Sequence, residues 1–255
     1  TFADEEMDLI IGVGFKLEQA ITEAAKNYPE QQFALIDAVC EGEQPENVTS
    51  LLFEDNASAY LTGLIAGRMT ETNKVGFIGG MESPVISKFD YGFRAGVKAA
   101  NPDAEVMVQY ANSFTDSALG KTIANQMHSK NADIIFTCAG AVGIGAIEAA
   151  KENGKKAIGV DQDQNSLAPE NVITSAMKNI DVSVEEMLSK VVDGSYKGGE
   201  VIINTLAMNG VGIPQSSEKN VPPDVLIYVN KEAEKVKSGE VKVPATKEEF
   251  EQLNK

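Results

Sequence analysis

ADIIFTCAGAVGIGAIEAAKENGKKAIGVDQDQ, residues 132–164, is the stretch that decides the fold. Its apolar, β-rich run from Ile134 to Thr137 ends in Cys138-Ala139-Gly140. A helical pattern follows, with apolar Val142, Ile144, Ile147 and Ala150, and Asn153-Gly154 stops it. A second apolar run, Ala157 to Val160, ends on Asp161. Strand, glycine turn, helix and strand make one βαβ unit, whose strands lie parallel through a right-handed crossover. In open α/β sheets ligands collect outside the carboxyl ends of the strands. Gly140 and Asp161 both stand at such ends, one crossover apart, and are expected to face one crevice. For either residue taken alone, an ordinary βα-loop position is the alternative.

The same grammar runs outward in both directions. Upstream, Glu105 to Tyr110 reads as a strand and Asp116 to Ser129 as a helix. Before them, Lys74 to Ile78 is a strand finished by Gly79-Gly80, and Pro84 to Ala100 a helix with proline in its first turn. At the start, Met7 to Val13 is an apolar strand run closed by Gly12 and Gly14, and Phe15 to Tyr28 a helix stopped by Pro29. Gln32 to Ile36 is the next strand, ending at Asp37. After a polar loop around Gly42 to Pro45, Asn56 to Met69 is a helix whose small residues suit close packing on a sheet. Downstream of Asp161, strands are expected at Val172 to Ala176 and Val201 to Leu206, with a helix at Val182 to Val192 between them. Lys231 to Gly239 and Lys247 to Asn254 are expected terminal helices, separated at Pro244.

Strand–helix repetition of this kind implies a doubly wound α/β architecture. The polar tetrapeptide Thr70-Glu71-Thr72-Asn73 marks a boundary, and a return crossing is expected near Ala168-Pro169. The expected first lobe is therefore 1–70 plus 170–230, the second 74–165, and 231–255 a C-terminal helical segment. Only two clear strands fall in 1–70. That is too few for an independent lobe, so its N-terminal part is expected to lie upstream of Thr1.

Composition narrows the function. Of 255 residues, 43% are hydrophobic and 24% charged, as in ordinary globular proteins. The net charge of −16 repels phosphates, and no basic stripe offsets it, which argues against nucleic-acid and anionic-membrane partners. No apolar run nears the roughly 18–20 residues that span a bilayer. The acidic opening TFADEEMDLI is no signal peptide. Cys40 and Cys138 follow strand-like runs and are expected as buried, inert thiols.

Catalytic and cofactor motifs are wanting. Gly12-Val13-Gly14 is a lone G-x-G, with Leu17 where the dinucleotide fingerprint needs glycine. Asp161, Asp163 and Asn165 begin like a calcium loop, but Ser166 and Val172 replace its glycine and glutamate. His128 lies mid-helix in NQMHSK, is expected on the surface, and has no G-x-S-x-G elbow to serve. No His/Cys cluster offers metal ligands. Asp161 and Asp163 have the chemistry for acid–base work, yet nothing nearby identifies a bond to cleave. No cofactor and no metal are expected.

Six motifs together carry a resemblance: IIGVGF (10–15), FALID (33–37), VGFIGGMESPVISKFDYGFRAGVKAA (75–100), SFTD (113–116), CAGAVGIGAIEAAKE (138–152) and GVDQDQ (159–164). They resemble the basic membrane protein family, substrate-binding lipoproteins of nucleoside ABC importers, over nearly the whole chain. The resemblance implies a periplasmic-binding-protein type I fold, with two doubly wound parallel-sheet lobes and a cleft between them. It also implies a further N-terminal strand–helix–strand section completing the first lobe.

Carried over by position, the resemblance implies that Phe15 lines the cleft near the base and Phe114 stacks on it. It implies a backbone contact from Gly140, and ribose hydroxyls held by Asp161 and Lys178. Members often have aspartate close to Gln19; glutamine here leaves base preference open. Asp37 ends a strand and is expected at the same cleft. A diol suits a carboxylate with a cationic donor, and a purine face suits an aromatic plane. Core packing is the alternative for Phe15 and Phe114, and a surface position for Lys178. The implied partners are a purine nucleoside and an ABC permease, at an extracytoplasmic, lipid-anchored location and without catalysis. An α/β enzyme using Asp161 as base, or a ligand sensor of the same fold, is the alternative.

Overall fold

Apolar β-rich runs closed by glycine, aspartate or lysine alternate with helices along the whole chain. The computed structural model describes residues 2–5 and 7–253. In order, the elements are β1 (Ile10–Val13), a 3-10 turn (Phe15–Leu17), α1 (Glu18–Asn27), β2 (Phe33–Ile36), β3 (Val48–Phe53) and α2 (Asp55–Met69). Then come β4 (Lys74–Gly79), α3 (Pro84–Ala100), β5 (Glu105–Tyr110), α4 (Ser117–Ser129), β6 (Ile134–Cys138), α5 (Ala141–Glu152) and β7 (Lys156–Asp161). The remainder is β8 (Val172–Lys178), α6 (Ile180–Val192), β9 (Val201–Asn204), β10 (Val211–Gly212), α7 (Pro223–Lys237) and α8 (Lys247–Gln252). Asn254, the expected end of the last helix, lies outside the described residues.

Two sheets result. One runs β1-β2-β3-β9, all parallel. The other runs β10-β8-β7-β6-β4-β5, parallel except for the short β10. As expected, β1 and β4 belong to different sheets. The chain divides into two compact units: residues through Glu54 with Asn179–Gly210, and Asp55–Lys178 with Val211 onward.

That division differs from the expected lobes in that α2, β8 and the segment after Gly210 fall in the second unit. The polar stretch at Thr70 is a tight turn closed by Asp133. Its carboxylate accepts from Thr70 Oγ1 at 2.8 Å and from the amides of Glu71 and Thr72 at 2.7 and 3.1 Å. A third strand, β3, also stands between the expected loop at 42–45 and the helix, where no element was expected. The part before Glu54 thus carries three strands where two were expected, and β9 from the later segment makes a fourth.

Close helix packing explains why α2 joins the second unit. Gly63 of α2 lies against the backbone of Phe93 and Gly96, and Gly96 of α3 against the carbonyl of Tyr60. A Cβ at either glycine would strike backbone, so the helices touch main chain to main chain. Consistent with this, Asp55 to Gly67 are all buried. Under α3, Phe77, Phe89, Phe93 and Phe136 form a buried aromatic cluster with ring centroids 5.2 to 6.3 Å apart. Such pairs contribute beyond the area they bury.

Two details concern reactive side chains. Cys40 and Cys138 are buried free thiols. His128, expected on the surface, is instead buried, its Nδ1 3.0 Å from the carbonyl of Ala132. Desolvation pushes its pKa below the usual histidine value. It closes the turn after α4.

The helix contact is directly testable. Alanine favours an exposed helix interior over glycine by about 1 kcal/mol, yet overpacking a filled contact costs about 1–3 kcal/mol. Gly96→Ala should therefore lower the unfolding free energy in urea; an unchanged or raised midpoint would show that α2 and α3 have room between them.

Candidate functional site

In the second unit the residues of interest gather where β4, β6, β7 and β8 end. Gly80, just past β4, donates its amide to Cys138 at 3.0 Å and accepts from Asn112 at 2.9 Å. These bonds bring the β5–α4 loop over the strand ends. In that loop Ser113 Oγ accepts from the amides of Thr115 and Asp116, each at 3.2 Å. The carbonyl of Phe114 accepts from Ala141 at 2.8 Å.

Phe114 is thereby placed from both sides. Its ring lies so close to Gly80 that a Cβ there would collide with it. Gly140, with φ of 57°, presents its own bare Cα to the Phe114 carbonyl, which a Cβ would approach to 2.8 Å. Phe114 is half-buried and Gly140 exposed. The ring has one side against backbone and part of its surface open, a geometry that leaves room for a planar group to stack. The core alternative for Phe114 does not describe this ring.

Asp161 closes β7 with φ of 65° and is exposed. Left-handed backbone costs an L-residue roughly 1–2 kcal/mol, aspartate being among the residues that tolerate it. Such strain clusters at functional sites. The following loop is tied back: Val160 donates to Gln164 Oε1 at 3.1 Å, and Asn165 to Asp163 Oδ1 at 3.0 Å. In the parallel register Asp161 stands opposite Met177, the residue before Lys178.

Lys178 is not on the surface. Its side chain is 3% exposed, its Nζ lies 3.2 Å from Oδ1 of Asp55, and it stands 5.4 Å from the centre of the Phe89 ring. Asp55, the first residue of α2, has a side chain 1% exposed.

The first unit carries a second set at the ends of β1 and β2. Gly14, with φ of 90°, donates to Ile36 at 2.9 Å, and half-buried Phe15 follows in the 3-10 turn. Asp37 closes β2 with φ of 66° and donates its amide to Leu51 at 3.0 Å. Each unit thus ends a central strand on an aspartate in left-handed conformation. Gln19 is exposed on α1 and donates to Glu23 at 3.0 Å along the helix. A groove of about 240 Å³ beneath α6 is lined by Thr49, Leu51, Tyr196 and Asn204 among others, and none of the expected site residues lines it.

The structure therefore brings Phe114 together with Gly140, sets Asp161 beside the end of β8, and sets Phe15 beside Asp37. Sequence reasoning missed Gly80 as the seat of the Phe114 ring and Asp55 as the partner of Lys178. Gly80 carried a signal as half of a strand-closing glycine pair. Asp55 carried none, since Glu54-Asp55 ahead of a helix reads as a solvated acidic pair. Among the described residues no group of three or more His, Cys, Asp or Glu side chains could hold a metal ion, and no helix is long and apolar enough to cross a membrane.

Known proteins resemble this chain along nearly its whole length. Residues 1–247 match the family model described as "ABC transporter substrate-binding protein PnrA-like". A "CD4+ T-cell-stimulating antigen" of Listeria monocytogenes is 40% identical over 96% of this chain and 72% of its own length. The "ABC transporter nucleoside-binding protein BmpA" of Lactococcus lactis is 38% identical over 93% of this chain and 71% of its own. Among solved structures, an ABC transporter solute-binding protein of Aeropyrum pernix superposes with a TM-score of 0.88 at 28% identity, covering 98% of this chain and 81% of that one. Matched by that family model over residues 1–247 and by relatives at 38–40% identity, this chain belongs to the PnrA-like family of ABC-transporter substrate-binding proteins.

Proposed function

We propose that this substrate-binding protein captures purine nucleosides in a cleft between its two units and delivers them to an ABC permease as a lipid-anchored extracytoplasmic receptor. The observation that carries the reading is Asp161, an exposed carboxylate held in left-handed backbone at the end of β7, beside the strand that ends in Lys178. A carboxylate and an ammonium carried at the ends of neighbouring strands match the acceptor and donor that a ribose 2′,3′-diol needs. The Phe114 ring, seated on Gly80, offers a purine a planar face at little entropic cost. Phe15 and Asp37 supply a second aromatic and a second carboxylate from the first unit, the latter suited to accepting from base N–H groups. Gly140 supplies a backbone contact, and Gln19 bears on base preference. The name of the Lactococcus lactis relative, a nucleoside-binding protein, supports the ligand class.

The two ends of the ligand separate in one titration series. A hydrogen bond to a charged group contributes about 1.5–3 kcal/mol, so Asp161→Ala should weaken inosine binding by roughly ten- to a hundredfold. The same change should leave hypoxanthine, which has no ribose, nearly unaffected. Phe114→Ala should weaken both alike. Wild-type inosine affinity in Asp161→Ala would refute the assignment of the ribose end.

Stability offers a second test of the same aspartate. Relief of left-handed strain by Asp161→Gly should leave the unfolding free energy equal or raise it by about 1 kcal/mol, while inosine binding falls. A clear loss of stability would mean that Asp161 serves the fold rather than the ligand.

A further inference from the structure

We propose that Asp55 is a positioning residue for the solute site: it fixes the ammonium of Lys178 at the carboxyl end of β8. The inference rests on the nucleoside reading above and adds a residue placed behind the ligand contacts.

Topology gives the pair its meaning. Asp55 is the first residue of the second unit after the chain first crosses into it, and Lys178 is the last before the chain leaves. The two are separated widely in sequence yet meet at 3.2 Å with both side chains buried. Asp55 opens α2, where the helix dipole favours a carboxylate. The backbone of Lys178 is held on both sides, by β7 through the Asp161–Met177 register and by β10 through Val211. Phe89 walls the ammonium from a third direction, and its ring is held in turn against Phe136 at 6.2 Å.

Charge at this depth needs a reason. A buried ion pair adds little stability over well-packed apolar side chains of similar volume, so packing does not call for charge here. The contact is an ion pair between two buried side chains, Nζ to Oδ1 at 3.2 Å. The carboxylate fixes where the positive charge sits. A strand-end ammonium held that way is pre-organised for a ligand oxygen, and pre-organisation raises affinity by removing the ordering cost at binding.

A double-mutant cycle in the full chain tests this, with calorimetric titration of inosine and hypoxanthine against wild type, Lys178→Met, Asp55→Asn and the double variant. Lys178→Met should weaken inosine about tenfold and hypoxanthine by less than about twofold. Asp55→Asn should show the same selective loss, and the double variant should bind no more weakly than Lys178→Met alone. If Asp55→Asn does not fold, Asp55→Glu takes its place, because one extra methylene displaces the charge and should again weaken inosine selectively. Wild-type inosine affinity in the Asp55 variant, or equal losses for inosine and hypoxanthine, would overturn the inference while leaving the ribose contact of Lys178 standing. An unchanged Lys178→Met, or a wild-type chain that binds no inosine, would overturn the nucleoside reading and this inference together.

Discussion

Parallel strands joined by right-handed crossovers all end on one edge of their sheet, and every candidate functional residue here depends on that constraint. Strands β4, β6, β7 and β8 deliver Gly80, Gly140, Asp161 and Lys178 to one edge of the larger sheet. Strands β1 and β2 deliver Phe15 and Asp37 to the corresponding edge of the smaller one. Residues far apart in sequence converge because the crossovers return the chain to the same end each time. The loops then need only small adjustments. Bare glycine backbones seat the Phe114 loop, and left-handed backbone lifts Asp37 and Asp161 out of the strand alternation.

The interior supports those ends with contacts that tolerate little change. The glycines of α2 and α3 let two helices meet at main-chain distance. The aromatic cluster holds Phe89, whose ring faces the Lys178 ammonium, against Phe136. Removing one partner of a buried ion pair costs about 3–5 kcal/mol, because the other charge is left uncompensated. The second unit is thus closely packed behind the end of β8. Rigid elements behind a binding residue are what a preorganised site requires.

Much of the fold was legible because local signals and tertiary packing agree. The spacing predicts a helix over 84–100 and a strand over 105–110, and α3 and β5 occupy those residues. Three features escaped for separate reasons. VTSLLF, residues 48–53, mixes Thr49 and Ser50 with apolar residues and looks weaker than a core strand, yet it lies between β2 and β9 and is almost wholly buried. The helix expected from Lys231 to Gly239 begins eight residues earlier, at Pro223, where proline suits the first turn of α7. The turn at Thr70 passed for a linker because its closure comes from Asp133, far along the chain. In the candidate site, strand-end residues announced themselves through glycine and aspartate after apolar runs. The Asp55–Lys178 pair did not, since neither residue carries a local sign of burial.

The account centres on a nucleoside held at the strand ends, and a crystal structure of the chain grown with inosine tests it most directly. The expected result places the purine ring on Phe114 and the ribose hydroxyls within hydrogen-bond distance of Asp161, with the Lys178 ammonium still against Asp55. Inosine seated in the groove beneath α6, or absent from crystals grown at saturating concentration, would contradict it.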